Sequence, residues 1–344
     1  MIKKRFKVAA LVACHNEEKT IITSLMSLVK QSYPLAEIIC VDDASCDNTY
    51  YLLKKLSKSY KKIKVFRCTK NRFRAAALNI GLKKIRKSVD YVMTIDADTQ
   101  LKKDAVKKGL LFFKKFQNVG GVCSRAGLKK GSGILYRLQK LEYGAGFDAE
   151  RTATFDNVMV LHGMCTIFDK KALTAIGGFT EGHLIEDYDI TLKLKKSGFK
   201  TMFNPAMEAY TLPPNDLLTL IRQRLRWARG GIDIIIEHGI SRFTIDDILD
   251  HLMFILLLAL IILMIMTSLL KLLTWHYQPH PLAILLGTVT YLVHLYRLKF
   301  IKNLEWQDYL IRIVLLPELA MSMMYSSIQV YAYWVSFTQK KRSW

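Results

Sequence analysis

The sequence predicts an α/β fold, a mostly parallel sheet covered by helices, continued by apolar C-terminal helices suited to a membrane. Three observations predict it. Over residues 1–130, short apolar runs alternate with amphipathic stretches. Those runs lack the polar alternation of a half-solvated strand, so their sheet must be covered on both faces. Finally, residues 252–270 form nineteen consecutive positions without a charge, long enough at about 1.5 Å per residue to cross hydrocarbon.

In order, the strand runs are 7–13, 37–42, 63–68, 91–95 and 119–123, with helical patterns at about 18–31, 47–58, 74–86 and 102–116. Lys3, Lys4 and Arg5 precede the first run, and Leu11–Cys14 has the look of a processing box. The run is shorter than a signal needs, and polar residues follow at once, so a buried strand is expected. Further on, Glu186-Asp187-Tyr188-Asp189 precedes a helical run over 190–197, and Pro213-Pro214-Asn215-Asp216 starts a helix over 217–230. Three units follow: an α/β domain over 1–212, basic amphipathic helices over 213–248, and a membrane region over 249–344. Candidate spans are 252–270, 281–298 and 313–337. Glu318 interrupts the third, and a carboxylate at that depth needs either a function or a partner.

Charge separates the same regions. The chain has 344 residues and a net charge of +22, with 43 Lys and Arg against 26 Asp and Glu in residues 1–250. The candidate spans make the protein integral to a membrane, the plasma membrane being expected, and placement of positive charge on the cytosolic side puts the α/β domain there. Lys340, Lys341 and Arg342 disagree with that rule if the third segment spans fully. The positives are spread over helices as Lys-Lys pairs, which fits an anionic lipid surface better than nucleic acid. Six cysteines without a C-x-x-C spacing exclude a disulfide scaffold. His276 and His280 have metal-like spacing, but Pro279 and the lack of a third ligand argue against a metal site there.

Parallel sheets bind ligands at the carboxyl ends of their strands. Three strand ends are polar there: His15-Asn16-Glu17-Glu18, Asp42-Asp43 and Asp96-Ala97-Asp98. With no Gly-rich phosphate loop, a carboxylate pair holding a divalent cation is the alternative way to neutralise a diphosphate. Asp96 and Asp98, two apart at an apolar strand's end, suit that role. Glu186, Asp187 and Asp189 are more carboxylates than a helix cap needs. Crowding raises the pKa of at least one and suits a general base. Gln223, Arg226 and Trp227 lie at i, i+3 and i+4, on one helix face. Together they can hold an anion and stack a ring.

Over about residues 7–240 these motifs resemble, in order and spacing, the membrane-bound inverting glycosyltransferases of family 2, the group of cellulose, chitin-oligosaccharide, hyaluronan and poly-N-acetylglucosamine synthases. The matching positions are Asp42-Asp43, the segment from Asn71 to Gly81, Asp96-x-Asp98, Gln139-x-x-Glu142-Tyr143, Glu186-Asp187 and Gln223-x-x-Arg226-Trp227. The resemblance implies a GT-A fold, a UDP-sugar donor and Mg²⁺ or Mn²⁺. It implies that Asp43 meets the uridine with Asp42 behind it, that Asp98 binds the metal, and that Asp96, Arg74, Gln223 and Arg226 serve the donor. Asp187, beside Glu186, would be the base. Trp227, His162 and Gly163 would line the acceptor side. Two departures are visible, Phe73-Arg74 where the family often has Gly-Lys and Ile185 where it usually has Thr, and no span is expected ahead of the catalytic domain. The expected reaction is sugar transfer to a growing β-linked saccharide, with UDP-N-acetylglucosamine or UDP-glucose as donor. The alternatives are single transfer to a polyprenyl or other lipid, and a non-catalytic scaffold. The few spans leave room for a homo-oligomer or a partner membrane subunit.

Overall fold

The computed structural model describes residues 6–273 and 281–338; the expectations for Lys3–Arg5, His276, His280 and Lys340–Arg342 lie outside them. The first half alternates as expected: β1 (Val8–Cys14), α1 (Ile21–Val29), β2 (Glu37–Asp42), α2 (Thr49–Ser59), β3 (Ile63–Arg67), α3 (Phe73–Lys84), β4 (Tyr91–Ile95), β5 (Gln100–Leu101), α4 (Ala105–Lys115) and β6 (Val119–Leu128). Then come α5 (Ile134–Leu141), a π-helical segment (Glu142–Asp148), α6 (Ala149–Ala153), β7 (Cys165–Asp169), α7 (Lys170–Ala175), α8 (Glu186–Lys196), β8 (Lys200–Thr211) and α9 (Leu217–His238). The C-terminal part holds α10 (Ile245–Leu273), α11 (Pro281–Tyr296), a 3₁₀ turn (Arg297–Phe300), α12 (Trp306–Val314) and α13 (Leu316–Thr338).

The eight strands form one sheet in the order β3-β2-β1-β4-β7-β6-β8-β5. Every residue of β2 and β4 is buried, and only Ala13 of β1 is partly exposed, as expected for strands with helices on both faces. Two buried clusters flank the sheet: Val12, Leu25 and Cys40 belong to one, Leu11, Ile39 and Leu78 to the other. Fully burying such an aliphatic side chain contributes about 1.5–3 kcal/mol. The pairings β1–β2, β1–β4, β2–β3 and β6–β8 are parallel. β7 is antiparallel to both β4 and β6, and β5 to β8. The chain thus reverses direction about β1, between β2 and β4, the place where open α/β sheets leave a ligand crevice. The carboxyl ends of β1, β2 and β4 are adjacent there, and they carry the three polar strand ends.

α9 begins at Asp216, whose side chain accepts from the Thr219 N–H at 2.8 Å, and ends at Gly239 with φ +65°. A positive φ there suits glycine, which has no Cβ to clash. Over residues 252–270 α10 is apolar on every side, and none of its apolar window is buried against the rest of the protein. Among the described residues it is the single helix long and apolar enough to cross a membrane, or one of two if α12 and α13 form one span bent by 67°. α11, within the expected span 281–298, runs 16 residues, about 24 Å, short of a hydrocarbon core of about 30 Å. The third expected span breaks at Leu315, which has φ +63°. Its carboxylate is partnered: Glu318 accepts from Arg312 and contacts His294 Nε2 at 2.8 Å. α12 is fastened to the α/β domain through Asp308, which meets Arg137 at 2.9 Å and Lys140 at 2.6 Å.

Candidate active site

One cavity of about 820 Å³ opens at the carboxyl ends of β1, β2 and β4 and runs toward α9, α10 and α13. All the expected site residues line it except Asp42. Asp42 is fully buried instead, its Oδ2 3.1 Å from Arg67 Nε. The strand register places it beside Cys14, one residue below the rim. Asp43, the next residue, reaches the cavity, and its two carboxylate oxygens share the Arg72 N–H at 2.9 and 3.1 Å. His15 Nδ1 lies 2.8 Å from the Asp43 carbonyl. Asn16, Ala44 and Phe73 have φ of 55°, 56° and 65° at this rim. Left-handed backbone at non-glycine residues is costly and collects at functional sites.

Asp96 and Asp98 follow β4. Asp98 Oδ2 accepts from Thr211 at 2.8 Å, Oδ1 accepts from Thr99 at 3.1 Å, and Lys129 donates to its carbonyl at 2.7 Å. Burial pushes the Asp98 pKa up, and repulsion from Asp96 adds to it; the hydroxyls and Lys129 oppose. Glu17, at the end of β1, also lines the cavity. Burial raises its pKa too, with Asp98 and Asp96 contributing repulsion. The sequence placed Glu17 at a polar strand end but assigned it no role, because its nearness to Asp96 and Asp98 depends on the pairing of β1 with β4. Among the described residues, no three His, Cys, Asp or Glu side chains converge as a complete ligand set. Two crowded carboxylates fit a divalent cation whose remaining ligands are phosphate oxygens and water, the usual habit of Mg²⁺.

Opposite this pair stands α8. It starts at Glu186, so its acidic residues occupy the first turn, where the helix dipole favours them. Arg74, from α3, bridges the two sides. It pairs with Asp96 at 2.6 Å, donates to Glu186, and donates to the Gly163 carbonyl at 3.1 Å. Asp187 Oδ2 accepts the Gly163 N–H at 3.2 Å, and Oδ1 accepts the Tyr188 N–H at 2.9 Å. Asp187, which lines the cavity, has its pKa raised by burial, then by Asp96, while Arg74 and the two N–H groups pull it down. Gly163, expected on the acceptor side, thus holds both Asp187 and Arg74; a Cβ there would lie 2.8 Å from Arg74 Nη2. His162 Nε2 is 2.7 Å from the Ser124 carbonyl, and burial pushes the ring's pKa down to about 3, so it is neutral.

α9 brings Gln223, Arg226 and Trp227 to the remaining wall. Burial lowers the Arg226 pKa against the opposing charges of Asp187 and Asp96, and a guanidinium stays cationic near neutrality. α9 packs closely on the loop before α8. A Cβ on Gly230 would lie 2.8 Å from Ile185 Cγ1. Ile185 therefore fills space against α9.

The family model "Glycosyl transferase family 2" matches residues 10–177, from β1 through α7. The poly-beta-1,6-N-acetyl-D-glucosamine synthase of Staphylococcus aureus (strain COL) is 33% identical over 236 residues, 68% of this chain and 57% of that one. The chain belongs to glycosyltransferase family 2. The synthase of the same name from Staphylococcus epidermidis is 31% identical over 232 residues, 67% of this chain and 56% of that one. This family 2 chain thus spans little more than half the length of these curated relatives. Among solved structures, a mannosyltransferase from Pyrobaculum calidifontis, in complex with GDP-Man and Mn²⁺, superposes with a TM-score of 0.68 at 19% identity. The match covers 98% of this chain and 89% of that one. It identifies the GT-A fold and extends through the C-terminal helices.

Proposed function

We propose that this family 2 chain is an inverting, metal-dependent transferase. Its donor is a UDP-sugar, with UDP-N-acetylglucosamine first among the candidates, and its acceptor is a growing β-linked saccharide at a membrane. One observation carries the reading: a single cavity holds Asp43, Asp96 and Asp98 on one side and Asp187, Gln223, Arg226 and Trp227 on the other. The choice of donor leans on the relatives named poly-beta-1,6-N-acetyl-D-glucosamine synthase.

In this reading Asp43 receives the uridine, Asp98 would hold Mg²⁺ or Mn²⁺, and Asp96 would serve the sugar–diphosphate side. The cation, when bound, neutralises the diphosphate. Arg226 lies beside the leaving UDP and meets the charge that builds there. Asp187 takes the proton from the acceptor hydroxyl as that oxygen attacks C1 and the C1–O bond to UDP breaks, through an oxocarbenium-like transition state. Its raised pKa makes it a stronger base than an ordinary aspartate. The Gly163 and Tyr188 N–H groups aim its oxygens. Arg74 keeps Glu186 and Asp96 paired. Trp227 stacks the acceptor ring. α10 crosses the membrane, and the basic α/β domain faces the cytosol, where UDP-sugars are available.

Transfer of one sugar to a lipid acceptor is the second reading. Its support is the cavity's far end, which Asp247 and His251 of α10 and Gln329 of α13 line. The test is UDP release from the full chain in membranes, over a panel of UDP-sugars with Mg²⁺ or Mn²⁺, followed by sizing of the labelled product. A saccharide ladder from one donor supports the first reading, and one sugar in the organic phase supports the second. Asp187→Asn must abolish transfer while UDP binding survives. Loss of UDP affinity in that variant refutes the base assignment.

A further inference from the structure

Arg224 stands between Gln223 and Arg226, and the basic character of α9 would put it on the surface. It is instead buried, with 7% of its surface exposed. Its Nε and Nη2 grip the two oxygens of Glu142 at 3.0 and 2.6 Å. Glu142 opens the π-helical segment. Its Oε2 also accepts from the Tyr325 hydroxyl at 2.9 Å, and Tyr325 belongs to α13, which packs along α9. The Arg224 guanidinium covers the Trp227 ring at 4.3 Å, and its Nη1 donates to Gln223 Oε1. Phe147, five residues after Glu142, meets Trp227 edge-on at 6.0 Å.

A buried ion pair is weak support for stability, since its desolvation cost offsets its attraction. What it supplies is geometry. Two parallel N–H bonds fix the plane of the guanidinium, and a plane lying on an indole fixes the indole. Tyr325 uses its hydroxyl to fix the carboxylate in turn.

The geometry points to a positioning relay: Tyr325 of α13 sets Glu142, Glu142 sets Arg224, and Arg224 sets the tilt of Trp227 on the acceptor side of the cavity. The inference rests on the reading of Trp227 as an acceptor-stacking residue. It makes α13 a determinant of acceptor binding although Tyr325 does not line the cavity. Asp43 and Asp98 are not members of the relay; on the donor side it reaches Gln223, through Arg224 Nη1.

The test uses the full chain in nanodiscs with Tyr325→Phe, Arg224→Lys and the double variant. Trp227 fluorescence is isolated by subtracting the signal of Trp227→Phe. Y325F and R224K must each change the Trp227 emission or anisotropy. With a β-1,6-linked N-acetylglucosamine pentasaccharide as acceptor probe and saturating UDP-N-acetylglucosamine, Y325F raises the acceptor KM by about tenfold, the scale of one lost hydrogen bond to a charged group. Its kcat is unchanged, and its donor KM moves less than its acceptor KM. Members of one chain are not additive, so the double variant is no worse than R224K alone. An unchanged Trp227 signal overturns the relay. A changed signal with an unchanged acceptor KM overturns its role in acceptor positioning. A melting temperature that falls while both readouts stay put marks a purely structural clasp and also overturns it. If wild-type protein does not extend the pentasaccharide, the acceptor reading has failed, and the fluorescence still decides whether the relay exists.

Discussion

Removing the charge of Arg74 should move the pH profile of transfer upward. Asp187 is raised by burial first and by Asp96 second; Arg74 is the main group pulling it down. Arg74→Met keeps the length of the side chain, deletes the cation, and leaves Asp96 unpaired within the same cavity. A single opposite charge close to a carboxylate lowers its pKa by about 1–3 units. Arg74 is 27% exposed and is shared with Asp96 and Glu186, so the low end applies: about one unit, or about 1.4 kcal/mol in the ionisation of Asp187. The base works ionised. A raised pKa therefore shifts the acid limb of kcat to higher pH by about one unit, costs about tenfold in rate below the limb, and costs little well above it. Arg74→Lys keeps the charge without the fork and should shift the limb less. The assay is UDP release at saturating donor and acceptor across the pH range, with UDP affinity measured in parallel. An acid limb that stays in place or moves down, with UDP affinity intact, refutes the placing of Arg74 in the field of the base.

Three further outcomes are expected. Asp98 is held with a raised pKa, so its contribution to stability is present at low pH and is lost as pH rises through the folded value. UDP with Mn²⁺ should therefore raise the melting temperature near neutral pH, by about 2–4 °C per kcal/mol of binding linkage, and less as pH falls. Asp98→Asn should raise the melting temperature of the metal-free protein and abolish the Mn²⁺ increment; equal increments in both proteins refute the metal assignment. Gly230→Ala drives a Cβ against Ile185 and Leu184, an overpacking worth about 1–3 kcal/mol. Denaturant melts should register that loss, with Ile185→Val recovering part of it. Phe73 sits at φ +65°, where a left-handed residue other than glycine costs about 1–2 kcal/mol. Phe73→Gly should leave the melting temperature level or higher, Phe73→Val should lower it, and the reverse order refutes the strain.

Much of the fold was legible because it is local. Continuous apolar runs made β1–β4 and β6 readable within a residue or so at their starts, and the amphipathic stretches between them became α1–α4. β5, β7 and β8 escaped, since their identity as strands depends on partners distant in the chain: β7 pairs with β4 across about seventy residues, and β5 with β8 across more than a hundred. The candidate site was readable as an ordered set of motifs, because polar residues stranded at the ends of apolar strands stand out against their surroundings. Their division of labour was not. Asp43 and Asp42 are neighbours, yet the pleat sends one to the cavity and one to Arg67. Arg74 was expected at the donor, but the bridge it makes to Glu186 spans 112 positions.

Neighbouring residues alone carry the α/β class, the basic composition of 1–250, the apolar helix at 252–270 and the acidic and Q-x-x-R-W motifs, because periodicity, charge and spacing are local properties. Tertiary structure alone decided that Gly163 serves Asp187, that Ile185 fills the space above Gly230, and that Glu318 finds Arg312 and His294. It also decided that Arg224 is buried between Glu142, Trp227 and Tyr325. Each of these is a contact between groups far apart in the chain, and burial and pairing exist only once the sheet has brought those groups together.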